Sequence, residues 1–376
     1  MRLRVEYHDG LLEFDAPDDR LVAAFSPPAR PEGDPRERIR RALESPIDYP
    51  PLRQVVVPGD RVVVPLDASL PDASTVLAVV AEILGEVGVE SVAAIVDGRR
   101  PRSAEIALPG GVELVVHDPT ERESLAYLAA TTEGRRIYLN RRLADADCVV
   151  PVGRIGPDNA LGLSGPWSVV DPGLSDASPV HPSLLAPIRA ETAALGESLE
   201  VSWLLGSQFQ IGGIPADSGL LHVVAGLTSA VRDRGAALLD EAWGLDVDDR
   251  ADLVIAGLGG PGRPASPDDL LDGLRQALRL VRRGGKVALL SRLGIDTIRE
   301  ALRSPGLPRG DWEKALAWAD VYLASSADAD DLDELGLIPL DRPEQAARLA
   351  SNAPSFVAIS QADRTRSTAR TEAESS

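Results

Sequence analysis

Several clusters of side chains in this sequence could do chemistry. The segment Asp97-Gly-Arg-Arg-Pro-Arg102 sets Arg99, Arg100 and Arg102 almost side by side. If the fold gathers them, these fixed cations bind a carboxylate or phosphate bidentately; if not, they pair with surface carboxylates. From Gly153 to Gly173 the chain is rich in Gly, Pro, Asp, Asn and Ser with little periodicity. A connection of that length inside a compact domain is usually functional or mobile. It offers Asp158, Asn159, Ser164 and Ser168 as hydrogen-bonding groups, with backbone donors at Gly162 and Gly165.

Two further patterns weaken on inspection. Gly257-Leu-Gly-Gly-Pro-Gly262 fits a dinucleotide fingerprint, but Pro261 removes a backbone donor and Arg263-Pro264 delays the helix. After the next strand comes Ser291-Arg292, where an acid for the ribose is expected. A nicotinamide-dependent oxidoreductase using this loop is therefore the weakest functional reading. Gly162-Leu-Ser-Gly-Pro166 lacks the final glycine of a nucleophile elbow and has no helical pattern after it. His8 and His222 have no partner at metal spacing, and the four histidines form no cluster.

These groups need a scaffold, and its elements are legible. Arg2–Tyr7 and Leu11–Phe14 alternate around Asp9-Gly10, a hairpin signal. Arg61–Pro65 and Ser91–Val96 read as buried strands flanking a helix over Asp72–Gly85 that Ser74 could cap, hence a βαβ unit and a parallel sheet. Further apolar runs lie at Val112–Val116 and Cys148–Val152. A second α/β pattern follows: strand Asp252–Ala256, helix Pro267–Arg283 and strand Lys286–Leu290. Ser266 caps that helix, Asp268 and Asp269 face its positive end, and Leu270, Leu271, Leu274, Leu278 and Val281 form its core stripe. The expected architecture is α/β, two domains with parallel-rich sheets flanked by helices and a cleft between them. The domains are placed at residues 1–247 and 248–360, with 361–376 as a disordered tail.

Bulk properties narrow the function. The 376 residues suit two cores rather than one. A formal net charge of -19 argues against nucleic acid or an anionic membrane surface as a partner. The single cysteine, Cys148, excludes a disulfide framework and fits a reducing compartment. The amino terminus has no signal-peptide run and no apolar stretch is long enough for a membrane span, so a soluble, cytoplasmic protein is expected.

Beside this reading stands a resemblance. Val116-His-Asp-Pro119 through Leu125-Ala-Tyr-Leu128, Thr131-Thr132, Gly134, Ile137-Tyr-Leu-Asn140 and Ala144-Asp-Ala-Asp147 resemble the first domain of the nickel-pincer lactate racemase family. Arg41–Pro46, Asp67-Ala-Ser-Leu-Pro71, Gly162-Leu-Ser-Gly165, Pro172-Gly173 and the pairs Gly259-Gly260 and Gly284-Gly285 also match. The resemblance implies a nickel ion in a sulfur-carbon-sulfur pincer, made from a nicotinate nucleotide and attached to a lysine. The pincer takes hydride from a 2-hydroxy acid while a histidine takes the hydroxyl proton.

Several of the implied side chains are absent here. The attachment lysine falls on Ser168, the substrate arginine on Leu70, the two acid/base histidines on Arg100 and Asp158, and a second-domain lysine on Asp272. Asp67, Ser69, Gly98, His117, Gly162, Ser164 and Gly165 are retained, with serine for threonine at position 69. His181 would stand for the nickel-ligand histidine only across a short gap; otherwise it is a loop histidine. His117, before Asp118-Pro119, reads as a structural turn residue. Arginine holds its proton and cannot act as a base near neutrality, so the sense of the changes is from turnover toward binding. The expected protein is a divergent homologue without the pincer cofactor that binds a small anionic metabolite or nucleotide. The alternative is an active 2-hydroxy-acid racemase or epimerase with a rearranged site.

Overall fold

The computed structural model describes residues 1–99, 106–177, 182–187, 192–304 and 307–370. The backbone divides into two compact units. One takes Met1–Pro28 and the chain from Ala242 onward; the other runs from Ala29 to Glu241, apart from a short stretch including residues 182–187 that goes with the first. The amino terminus thus joins the carboxyl-terminal unit, a division that differs from a single boundary near Val247.

The chain opens with the expected hairpin, β1 (Arg2–Tyr7) and β2 (Gly10–Asp15), followed by β3 (Leu21–Phe25). Leu3, Val5 and Tyr7 are buried while Arg2 and Arg4 stay exposed, so the period of two sets the inward face.

The second unit begins with α1 (Pro35–Glu44), whose first turn is capped by the Asp34 carboxylate accepting from the Arg36 N–H at 2.9 Å. Next come β4 (Arg61–Pro65), α2 (Ala73–Val87) and β5 (Ser91–Asp97), the βαβ unit that the apolar runs imply. Ser74 lies inside the α2 turn rather than capping it, and its Oγ accepts from the Ala107 N–H at 2.9 Å. After β6 (Val112–His117), the antiparallel pair β7 (Leu125–Ala130) and β8 (Arg136–Asn140), and β9 (Cys148–Val149), the parallel sheet has the order β6-β5-β4-β9. Val62 and Val64 face the α2 core while Val63, Ala93 and Ile95 pack on Ile137, Leu139 and Leu143. Both faces are therefore covered, as a parallel sheet requires.

The Gly153–Gly173 stretch is regular structure rather than irregular loop. It holds β10 (Val152–Arg154), the hairpin β11 (Gly156–Asp158) and β12 (Gly162–Ser164), and α3 (Pro166–Val170). A helix does follow Gly165, contrary to the sequence reading. Periodicity failed because nearly every side chain here is buried, so no polar face marks the period. Helix α4 (Ala193–Leu204), capped by Thr192, packs on α3. Strands β13 (Phe209–Pro215) and β14 (Leu220–Leu227) join β10 in a three-stranded sheet, and α5 (Thr228–Trp243) leads out.

The first unit resumes with β15 (Gly244–Val247), β16 (Ala251–Gly257), α6 (Pro267–Leu280), β17 (Val281–Leu290), β18 (Ala319–Ala324), β19 (Ile338–Pro339), β20 (Phe356–Ile359) and β21 (Arg366–Ala369). Its sheet is parallel throughout, in the order β19-β18-β17-β16-β20-β3. Val254, Val287 and Val357 pack under α6 on one face, and Leu253, Ala288 and Phe356 pack under the β1–β2 hairpin on the other. The α6 cap is as expected, with the Ser266 Oγ accepting from the Asp269 N–H at 3.2 Å. Each buried leucine of its stripe contributes on the order of 2 kcal/mol. The helix ends at Leu280, not Arg283, because Val281 already pairs with Ala251.

The disordered tail is also corrected as far as Arg370. Ala362–Arg364 form a 3-10 turn, and β21 pairs in parallel with β15. The polar sequence misled because Thr365 and Ser367 are buried by hydrogen bonding, the Ser367 N–H donating to Gln276 at 2.9 Å. Among the described residues no helix is long and apolar enough to cross a membrane.

Candidate functional site

The carboxyl ends of β4 and β5 open on a pocket in the second unit lined by Leu66, Asp67, Ala68, Asp97, Ser168, Val169 and Gly173. This is where a parallel sheet offers a site: β4 leads through α2 to β5 on one side and has β9 on the other, so the winding reverses there. The pocket has about 20 Å³ of free space, room for roughly one water.

Asp67 is held by its own turn. Its Oδ1 accepts from the Ser69 N–H at 2.9 Å and the Ser69 hydroxyl at 2.6 Å, and Oδ2 accepts from the Arg154 N–H at 3.3 Å. Ser69 thus acts through Asp67. Leu70 is buried, its Cδ1 lying only 2.7 Å from where a Cβ on Gly213 would stand.

Ser168 lies in the first turn of α3 and is 6% exposed. Its Oγ donates to the Gly165 carbonyl at 2.7 Å and accepts from the Gly165 N–H at 3.2 Å. Both hydrogen-bonding directions of the hydroxyl are thereby used inside the helix cap. Glycine is needed on either side: a Cβ on Gly165 would come within 2.4 Å of the Trp167 ring, and one on Gly173 within 2.4 Å of the Val169 carbonyl.

Arg99 is not a ligand-facing cation. Its Nε donates to Asp97 Oδ1 at 2.9 Å, Nη1 to the Ala177 carbonyl at 2.7 Å, and Nη2 to the carbonyls of Pro172 and Gly173 at 2.9 and 2.8 Å. The guanidinium is a strut beneath the segment that leaves α3. The sequence could not show this, because the acceptors are backbone carbonyls far along the chain. Arg100, Arg102 and His181 lie outside the described residues.

The remaining loop residues build the hairpin and do not line the pocket. Asp158 Oδ1 accepts from the N–H groups of Ala160 and Leu161, each at 2.8 Å, closing the β11–β12 turn that contains Asn159. Gly162, at φ +81°, starts β12, and the Ser164 hydroxyl donates to the Gly156 carbonyl at 3.1 Å. That bond uses the serine in place and agrees with setting the nucleophile elbow aside.

His117 is fully buried. Its Nε2 lies 3.2 Å from the Ser175 carbonyl and its Nδ1 3.2 Å from Asn140 Nδ2. This fits one tautomer, Nε2–H donating to Ser175 and Nδ1 accepting from Asn140. Burial pushes the imidazole below its ordinary range, opposed by the Ser175 carbonyl, while Arg99 adds to the lowering. It is the structural histidine expected from its turn. Asp171 belongs to the same brace: its Oδ2 accepts from Arg135 Nη2 at 2.8 Å, and burial raises its carboxyl against the pull of that guanidinium.

Sequence reasoning passed over Asp97 as a pocket residue. The available signal was its place at the last position of a buried parallel strand, just before Gly98. Among the described residues no group of His, Cys, Asp or Glu side chains is placed to hold a metal ion. In the first unit, the Gly259 N–H of the fingerprint-like loop is taken by Asp363 Oδ1 at 2.9 Å, so it cannot cradle a phosphate.

Residues 7–194 match the family model of the lactate racemase N-terminal domain. A search of curated proteins finds no match. Among solved structures, the lactate racemase apoprotein from Thermoanaerobacterium thermosaccharolyticum superposes with a TM-score of 0.77 at 14% identity, covering 98% of this chain and 100% of that one. A protein from Thermotoga maritima gives a TM-score of 0.63 at 13% identity, covering 90% and 99%. At these identities the two structures speak for the fold.

Proposed function

Because the chain belongs to the lactate racemase N-terminal domain family, we propose that it is a lactate racemase-like protein that binds a small anionic metabolite or nucleotide without a covalently attached nickel pincer. The observation that carries this reading is Ser168. It stands where the family resemblance puts the attachment lysine, it has no amine, and its hydroxyl is closed into the α3 cap. The residues present do not fit the pincer group: the adjoining pocket has about 20 Å³ of free space, and Leu70, where the resemblance puts the substrate arginine, is apolar and buried.

The two carboxylates at the pocket do not rule out an anion. Asp97 is neutralised by Arg99, and Asp67 already accepts three hydrogen bonds. With Arg99 engaged below, this reading assigns the attracting charge to Arg100 and Arg102, which follow it in sequence and lie outside the described residues. The test is the protein produced alongside pincer-synthesis enzymes. Intact mass spectrometry should give the unmodified chain, and small carboxylates or phosphates should raise the melting midpoint beyond matched salt. An adduct of nucleotide size, stoichiometric nickel, or no response across the anion series would sink the reading.

A further inference from the structure

The carboxyl edge of the six-stranded sheet carries another concentration of polar groups, wholly within the first unit. Winding reverses there between β16 and β20. Helix α6 leaves β16 over one face, and the helix Glu344–Asn352 returns the chain to β20 over the other, where Ala346 and Ala350 join the hairpin core. Ligands lodge outside the strand ends at such reversals.

Three turns meet at this edge: the loop after β16, the β1–β2 turn, and the turn after β20. The His8 N–H donates to the Leu258 carbonyl at 2.9 Å, the Gly262 N–H to Asp9 Oδ1 at 3.2 Å, and Arg263 pairs with Asp363 and Asp269. At their centre is Gln361, in the left-handed region at φ +51° and fully buried. Neither its amide nitrogen nor its amide oxygen has a hydrogen-bond partner. A Cβ on Gly260 would come within 2.5 Å of Gln361 Nε2, so the bare backbone of Gly260 is what leaves the amide its place. His8 Nδ1 and Arg263 Nε are also buried without a partner. Buried polar atoms are almost always satisfied, so four that are not, gathered around one loop, indicate a missing polar partner.

We propose that Gln361 is the recognition group of a second ligand site at this reversal point, for a planar ligand edge carrying a donor beside an acceptor, as in a carboxamide or a purine. The amide N–H donates to the ligand's acceptor, and Oε1 accepts from its donor. Phosphate does not match: Asp268 and Asp269 begin α6, Pro261 has no N–H, and the Gly259 N–H is committed to Asp363. Since the amide lies under Gly260, the ligand enters as the 259–263 turn lifts, with Gly259 and Gly262, both at positive φ, as pivots.

The test uses the full chain and thermal melting with adenine or benzamide, and with sodium phosphate and benzoate as controls. At saturation adenine, benzamide or both should raise the midpoint by roughly 2 °C or more, and which one does so identifies the ligand source. Gln361→Met, which keeps the length but removes both polar atoms, should melt no lower than wild type without ligand and should lose the rise. Gly260→Ala, which crowds the amide, should lose it too. No rise with either probe, an equal rise in the Met variant, or a response to the controls alone overturns the proposal. So does a Met variant that melts several degrees lower, since the amide would then be satisfied within the fold. These probes and variants leave the Ser168 pocket untouched, so failure here is separable from failure of the proposed function.

Discussion

The carbonyl oxygen of Gly173 accepts a hydrogen bond from Arg99 Nη2 at 2.8 Å. Through it and its neighbours, one arginine suspends the whole exit of α3. The same segment is pinned by the Asn140 N–H donating to the Leu174 carbonyl at 2.9 Å and by the Ser198 hydroxyl donating to the Asp171 carbonyl at 2.5 Å. Such a strap keeps the Ser168 wall of the pocket in one place.

Arg99→Ala should therefore act on stability first. It takes the guanidinium from Asp97, whose side chain is 9% exposed and keeps the N–H of residue 99, and removes one donor from each of three carbonyls. The expected loss is about 3 kcal/mol in urea unfolding. Arg99→Lys should recover only part of it, because an ammonium cannot reproduce the guanidinium fork. An unchanged unfolding midpoint would mean that the strut has no energetic role.

Position 168 gives a graded series. Ser168→Ala removes the α3 cap and should cost about 1 kcal/mol. Ser168→Lys forces a longer, charged chain into a buried turn and should cost about 2 kcal/mol or more. Equilibrium denaturation of the two variants should keep that order; a lysine variant as stable as wild type would show that the wall can open.

The buried imidazole makes a pH prediction with a definite sign. Because His117 titrates lower in the folded chain than in the unfolded one, the unfolded form takes up the proton first. Its contribution is complete above about pH 6.5 and is lost as the pH falls from there toward the folded value. His222 is also lowered, by burial, so the decline does not belong to one residue. The comparison that isolates His117 is the slope of stability against pH below about 6.5 in His117→Gln, which should be shallower than in wild type.

Burial pushes the Cys148 thiol up to about 11, with Asp60 adding in the same direction. Alkylation by iodoacetamide at pH 8 should therefore be much slower than for a free thiol, and should reach the free rate once the chain is unfolded in urea. Fast labelling of the folded chain would contradict the burial of this strand.

The strand-helix-strand rhythm was legible because β4, α2 and β5 carry apolar runs whose periods are set locally. The pocket was legible in part, through Asp67 and Ser168. The choice between anion binding and carboxylate pairing stayed open for Arg99 because a guanidinium's partner is decided by tertiary packing, and Asp97 was overlooked because its role comes from its place at a strand end. The 153–173 segment and the tail share another cause. Both bury polar or small residues through hydrogen bonds rather than apolar area, so hydropathy alone could not reveal Ser164, Ser168 or Ser367 as interior.

The parallel pairing of β3 with β20 has a consequence for how the molecule is made. On the ribosome, Leu21–Phe25 emerges hundreds of residues before Phe356–Ile359, the strand it pairs with in the sheet. The intervening unit has most of its partners in hand much earlier, and units generally fold as their sequence becomes available. Strand β3 must therefore wait for its partner until Phe356–Ile359 has been made, long after the intervening unit. Truncation just before Phe356 would leave β3 without the strand it pairs with, although β3 is made long before, while β1 and β2 would still pair with each other.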